Sequence, residues 1–182
     1  MKPNPLYTVG HSTRTMEEFL ALLGHDRIQL LVDVRTVPKS RRVPQFNRDH
    51  LASVLPEREI AYRHLPALGG LRKSTDPDSP NRSWRNMSFR GYADYMQTEA
   101  FEKGIDALLS EGAGRRTAVM CAEAVPWRCH RSLISDALLI RGVPVCHLFS
   151  LTQSREHVLT SFAQVEGLKI IYPPPGEQTR LF

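Results

Sequence analysis

No stretch of these 182 residues approaches the ~18 to 20 consecutive apolar positions that a membrane-spanning helix needs. The opening residues Met1-Lys2-Pro3-Asn4-Pro5 have no apolar core of the kind a secretion signal carries, so the expected location is the cytoplasm, with no membrane partner. Cysteine is scarce. Cys121, Cys129 and Cys146 cannot make a fully paired framework, and a reducing compartment keeps them as thiols, which leaves any of them free for chemistry. Lysine is also scarce, five residues against 19 arginines, and the arginine fork suits bidentate contacts to phosphate or carboxylate.

What is present is globular: 41% hydrophobic and 24% charged residues, in a chain long enough to bury a core without disulfides or a structural metal. The length fits one domain. The net charge of +5 is unevenly placed, because Arg35 to Arg90 holds 12 basic and five acidic residues. Such a block is either a solvated face or a surface for phosphate or nucleic acid, and Trp84, Phe89 and Tyr92 within it are of the type that stacks on bases.

Hydrophobic patterning alternates strand and helix. Leu6 to Gly10 reads as a strand, and Thr15-Met16-Glu17-Glu18 as a capping box opening a helix through Leu23. Ile28 to Val34 is a near-continuous apolar run suited to a strand covered on both faces. Asn47 is placed to cap a helix carrying Leu51, Val54 and Leu55, and a strand follows around Ile60 to Leu65. Residues 66–90 are polar and Pro-rich, a long basic loop excursion. Helices are expected over Gly91 to Gln97 and from a Thr98 cap to Leu109, with strands at Thr117 to Cys121 and Val143 to Phe149 flanking a helix that carries Leu133, Ile134, Ala137 and Leu138. Ser154 to Val165 reads as a last helix and Leu168 to Tyr172 as an edge strand. The sum is an α/β chain: one three-layer domain over residues 1–172, mainly parallel in its sheet with helices on both faces, then a Pro-rich linker and tail over 173–182.

In such sheets ligands bind beyond the carboxyl ends of the strands, and those ends are polar here. They deliver Gly10, His11 and Ser12, then Asp33 and Arg35, then His64 with Gly69 and Gly70 beyond, then Cys121 and Glu123, then His147. The densest segment runs Cys121-Ala122-Glu123-Ala124-Val125-Pro126-Trp127-Arg128-Cys129-His130-Arg131 from a strand end into a helix start. Helix-terminal amides and guanidinium groups there favour an anion and draw a thiol toward its thiolate. Cys121, Glu123, His11, Asp33 and His130 are the candidates for chemistry, and Ser12, Arg35, Arg41, Gly69, Gly70, Arg72, Arg128 and Arg131 those for holding an anionic substrate. The bland alternative is that Cys121 merely ends a strand and Glu123 braces the loop against an arginine. A zinc cluster of Cys121, Cys129 and His130 is disfavoured because paired Cys-x2-Cys knuckles are missing, so no metal and no other cofactor is expected. Cys146 alternates with core positions and reads as packing.

Thr8-Val9-Gly10-His11-Ser12, Val32-Asp33-Val34-Arg35 with Pro38 and Ser40, Leu68-Gly69-Gly70, and Cys121-x-Glu123-x-x-Pro126-x-x-Cys129-His130-Arg131 together resemble the bacterial family of domain of unknown function 488, over about residues 5 to 172. The resemblance implies an α/β fold and a polar site shared by these motifs, and it implies no particular reaction. Asp33-Val34-Arg35, with a cysteine at another strand end, is also similar in part to rhodanese-type sulfurtransferases and cysteine phosphatases, although Pro126 and Trp127 stand where those favour small residues. Cys129-His130-Arg131 is similar to the Pro-Cys-His-Arg core of DNA alkyltransferases, with Arg128 in place of the proline. The tail Gln178-Thr179-Arg180-Leu181-Phe182 resembles the peptides by which replication and repair proteins dock on the sliding clamp. Three functions stay open at this point: a cysteine-dependent hydrolase or transferase on a phosphate-bearing substrate, plausibly nucleic acid in a repair-like role; a non-catalytic nucleic-acid adaptor on the clamp; and a sulfurtransferase acting on a small anion.

Overall fold

The computed structural model describes residues 5–176. Six strands form one sheet in the order β3-β2-β4-β1-β5-β6. β1 (Leu6–Gly10) and β4 (Thr117–Cys121) are buried at every position and pair in parallel at the centre, Gly10 beside Cys121. β2 (Leu30–Asp33) lies beyond β4, β3 (Ala61–His64) beyond β2, and β5 (Val145–Leu148) on the far side of β1, all parallel. Burial on both faces explains why β2 and β4 read as near-continuous apolar runs, whereas the edge-side β3 is only half-buried.

Alternation along the strands divides the core into two layers. Tyr7, Val9, Leu31 and Met120 meet α1 (Met16–His25) and α2 (Arg48–Val54) on one face. Val32, Val34, Val119 and Cys121 meet α3 (Met87–Tyr95), α4 (Glu99–Gly112) and α5 (Arg131–Leu139) on the other. This is the three-layer α/β architecture expected. The chain reverses direction across the sheet at β1 and β4, since β1 leads toward β2 and β4 leads through α5 to β5. The Cys121 loop therefore emerges where α/β sheets open a crevice.

Local signals place most elements. Thr15 and Glu18 form the reciprocal capping box at α1, and Thr98 Oγ1 accepts from the Phe101 amide at α4. Asn47 sits at the α2 N-cap without capping it, because its Oδ1 accepts instead from the Ser40 amide at 2.6 Å. α3 starts at Met87, inside the segment expected to be loop, because Asn86 Oδ1 accepts from the Ser88 and Phe89 amides. The remaining excursion is tied down through Asp94 of α3, which accepts from Ser74 Oγ at 2.6 Å and Asn81 Nδ2 at 2.8 Å.

The expected helix over Ser154 to Val165 does not form. β6 (Ser154–Glu156) pairs antiparallel with β5 and closes that sheet edge, and His157 turns inward to donate to the buried Asp136 carboxylate at 2.8 Å. Tertiary partners override helix propensity here. Leu168 to Tyr172 was expected at an edge of the main sheet. Its strand β8 (Lys169–Ile171) instead pairs with β7 (Gln164–Glu166) in a separate hairpin whose turn uses Gly167 at φ 60°.

Candidate functional site

Two polar assemblies meet at the carboxyl end of the sheet, one from each layer. On the α1–α2 side, Asp33 ends β2 fully buried and binds the Arg35 guanidinium with both oxygens, Nε to Oδ1 at 2.9 Å and Nη2 to Oδ2 at 2.6 Å. The Tyr62 hydroxyl donates to Asp33 Oδ2 at 2.7 Å, and burial beside that carboxylate raises the phenol's pKa. Arg35 also donates to the Phe46 carbonyl at 2.7 Å and, through Nη1, to His11 Nε2 at 3.1 Å. His11 donates from Nδ1 to the Ser12 carbonyl at 2.9 Å, which fixes the tautomer whose Nε2 lone pair receives Arg35. The His11 ring stacks on Phe46 with centroids 4.4 Å apart, and burial pulls its pKa down to about 4. Asp33 and His11 thus hold Arg35 in place.

On the other side stand the sulfurs. The Cys121 and Cys129 Sγ atoms meet at disulfide-like contact, with Cα atoms 7.7 Å apart. Arg131, 1% exposed, donates Nε–H to Cys121 Sγ at 3.1 Å, Nη1–H to Thr8 Oγ1 at 3.3 Å and Nη2–H to the Glu123 carbonyl. Its amide reaches Cys129 Sγ at 3.5 Å. Burial lowers the Arg131 pKa to about 10, which leaves it cationic at neutral pH. Among the described residues, no carboxylate forms an ion pair with it. His130 donates from Nε2 to the Val34 carbonyl at 3.2 Å, and its Nδ1 faces Cys129 Sγ at 3.5 Å.

The loop is held close by backbone. The His11 and Ser12 amides donate to the Cys121 and Ala122 carbonyls at 3.0 and 2.9 Å, extending the β1–β4 pairing past the strand ends. A Cβ on Gly10 would lie 1.8 Å from the Glu123 carbonyl oxygen, so only glycine lets the loop cross β1.

A cleft of about 450 Å³ opens over the sulfurs, and Cys121, Glu123, Arg128, His130, Arg35 and Gly70 reach it. Glu123 and Arg128 are exposed at its walls, and Arg131, buried against the Cys121 sulfur, is outside the cleft lining. Other candidates fall elsewhere. Asp33 and His11 are buried beneath Arg35, and Ser12 precedes α1 in the left-handed region at φ 50°. Gly69 packs against Thr36, Arg72 lies over the Tyr95 ring at 3.7 Å, and Arg41 is exposed outside the cleft lining. Gln178, Leu181 and Phe182 lie outside the described residues.

Of the aromatics expected to stack on bases, Tyr92 is fully buried and Trp84 packs among Phe89, Phe162 and Tyr172. Phe89 reaches the cleft, and Trp127, 59% exposed, stands on the same loop as Glu123. Sequence reasoning passed over Thr36, Asn86 and Ser88 in the cleft wall, which carry no motif. It also set Cys129 aside by knuckle spacing; the signal that could have kept it is the adjacency of Cys129 and His130 at a helix start.

A family model described as Domain of unknown function DUF488 matches residues 15–138. The match takes in Asp33, Arg35 and the whole Cys121-to-Arg131 segment and leaves His11 and Ser12 just before it. No curated protein and no solved structure matches the chain.

Proposed function

The chain belongs to the family of domain of unknown function DUF488, whose name assigns no reaction, and from the cleft we propose an enzyme that binds a phosphate-bearing substrate, nucleic acid by class, and works at the Cys121 sulfur. The observation that carries this reading is the 3.1 Å contact from Arg131 Nε–H to Cys121 Sγ. A buried guanidinium with no carboxylate ion-paired to it among the described residues favours a negative charge on the atom it touches, and that atom is the sulfur. A cysteine that only ended a strand would sit among aliphatic groups, with no such cation beside it.

The remaining groups divide by position. Glu123, exposed in the cleft wall, is the proton-transfer group. Arg128 at the mouth and Arg35 in the wall hold the anion, and Asp33 and His11 position Arg35. The basic block over 35–90 and the exposed Trp127 favour a nucleic acid over a small metabolite, since a polyanion uses both charge and a stacking surface.

The test is a panel of labelled single- and double-stranded oligonucleotides, scored for binding against salt and for turnover. Binding that weakens steeply with salt, is reduced by Arg128→Ala and survives Cys121→Ser, together with turnover that Cys121→Ser abolishes, is the expected outcome. Binding indifferent to salt, or turnover unchanged in Cys121→Ser, overturns the reading.

A further inference from the structure

We propose that Cys121, Cys129 and His130 bind one divalent metal ion of the zinc class, with the fourth position open to the cleft. The inference rests on the reading of this cleft as an active site and deepens it, making the Cys121 thiolate a ligand of the cofactor the site uses. Among the described residues these three form the one group of metal-ligating type, with their donor atoms all within 4.8 Å of one another. Two thiolates and an imidazole are the donor set that zinc, or cobalt in its place, prefers.

The surroundings fit a metal better than a crosslink. The Cα atoms stand 7.7 Å apart, beyond the roughly 4.4 to 6.8 Å over which a relaxed disulfide closes, whereas a metal about 2.3 Å from each sulfur spans a wider gap. His130 donates its Nε2 proton to the Val34 carbonyl, and this second hydrogen bond is the device that orients a ligating imidazole and frees its other nitrogen. That nitrogen, Nδ1, is the one turned toward the sulfurs. A Cβ on Gly70 would lie 2.3 Å from it, so the glycine keeps the ligating edge open. Each sulfur accepts one N–H from Arg131, Nε to Cys121 and the amide to Cys129, the support expected around metal-bound thiolates.

The charge balance also fits. A dication with two thiolates is neutral, and the Arg131 guanidinium leaves the site one charge positive, suited to a bound hydroxide or a substrate anion. Knuckle spacing, the reason a metal looks unfavourable in the sequence, describes closed four-ligand structural sites. Three protein ligands facing a cleft are the pattern of a catalytic site, and all three of these line it. Glu123 lines the same cleft, and a carboxylate there is the type of group that would take a proton from a water on the metal.

The test is metal content by elemental analysis of the full chain purified without chelator, together with the absorption spectrum after loading with cobalt(II). One equivalent of metal, and a thiolate-to-cobalt charge-transfer band with the strong visible absorption of a tetrahedral site, are expected. Cys129→Ser and His130→Ala should each weaken binding by more than the roughly 10- to 100-fold typical of losing an outer-shell partner, while Cys146→Ser, on the opposite layer, leaves it unchanged. Less than a tenth of an equivalent with no cobalt band, or two of three thiols unreactive until reductant is added, overturns the proposal, the latter in favour of a disulfide. If the cobalt band is missing yet Cys121→Ser still abolishes turnover, the metal alone is wrong. If the band is present but no oligonucleotide binds, the site is a metal centre and the substrate class is wrong.

Discussion

Arg131 and Asp136, five residues apart on α5, are joined through the core by a one-way chain of hydrogen bonds. Arg131 Nη1–H donates to Thr8 Oγ1 at 3.3 Å, and the Thr8 hydroxyl donates to His147 Nδ1 at 2.7 Å. His147 Nε2–H donates to His157 Nδ1 at 3.0 Å, and His157 Nε2–H to Asp136 Oδ1 at 2.8 Å. With both imidazoles neutral the direction follows from the carboxylate, which only accepts: His157 Nε2 then donates to it, His147 Nε2 to His157, and the Thr8 hydroxyl to His147. The cation behind the Cys121 sulfur is thereby linked to a distant buried anion, which also accepts from Thr160 and from the Tyr172 hydroxyl. The arrangement compensates Arg131 without placing a carboxylate beside the sulfur.

Thr8→Val keeps the shape of the side chain and removes the hydroxyl from this chain. Arg131 Nη1–H and His147 Nδ1 are then left buried without partners, and each unmet group costs about 1 to 3 kcal/mol. The expected result is an unfolding free energy lowered by that order, read as a lower urea midpoint at an unchanged m-value. Stability equal to the parent would show that water or another group takes over both roles.

Acid should destabilise the fold well before its carboxylates protonate. Burial pulls His11 down to about 4, and burial with its neighbour His157 pulls His147 down to about 3, against 6.5 for both in an exposed chain. Below pH 6.5 the unfolded chain binds protons that the folded chain refuses, so unfolding free energy falls as pH falls, by up to about 1.4 kcal/mol per pH unit for each histidine, until the folded values are reached. Denaturation midpoints at about pH 7 and about pH 5 measure the slope. A flat profile across this window would contradict neutral burial of both rings.

Three glycine substitutions separate backbone crowding from site chemistry. Gly10→Ala drives a Cβ into the Glu123 carbonyl, with no flexible atom to yield, and should cost more than about 3 kcal/mol or prevent folding. Gly70→Ala meets the His130 imidazole instead, so the ring moves and the cost is about 1 to 3 kcal/mol, and if His130 ligates a metal its affinity falls as well. Gly24→Ala, in α1 with nothing within 4 Å, should stabilise by about 0.5 to 1 kcal/mol. Thermal unfolding of the three variants checks the order.

The parts of the fold that the sequence discloses are those set by local chemistry. Leu6–Gly10 and Thr117–Cys121 coincide with their apolar runs, and Thr15 with Glu18 announces α1 by a contact three residues long. Ser154 to Glu156 is helical by local preference and a strand by partnership, since its partners are Cys146 to Leu148. The site divides in the same way. Strand-end logic places Cys121, Asp33, Arg35 and Glu123 at one end of the sheet, where the structure has them, whereas nothing in the spacing shows that the Arg131 guanidinium contacts the Cys121 sulfur. The chain through Thr8, His147 and His157 joins three separate elements, and no local pattern marks it.

Arg35→Lys is the sharpest test of how the two polar assemblies are joined. The arginine serves four partners at once: both Asp33 oxygens, the Phe46 carbonyl and His11 Nε2. An ammonium on a shorter reach keeps the charge but cannot present the planar fork, so one Asp33 oxygen and the His11 nitrogen lose their donors in a region where Asp33 is fully buried. Leaving each of those two groups without its donor costs about 1 to 3 kcal/mol, against one such loss for Tyr62→Phe, which removes a single bond to the same carboxylate. If Arg35 also holds substrate, oligonucleotide affinity should fall in Arg35→Lys and stay near the parent value in Tyr62→Phe, even with both variants measured well below their unfolding midpoints. Equal affinities would confine Arg35 to the structural role that Asp33 and His11 give it, leaving Arg128 as the anion contact of the cleft.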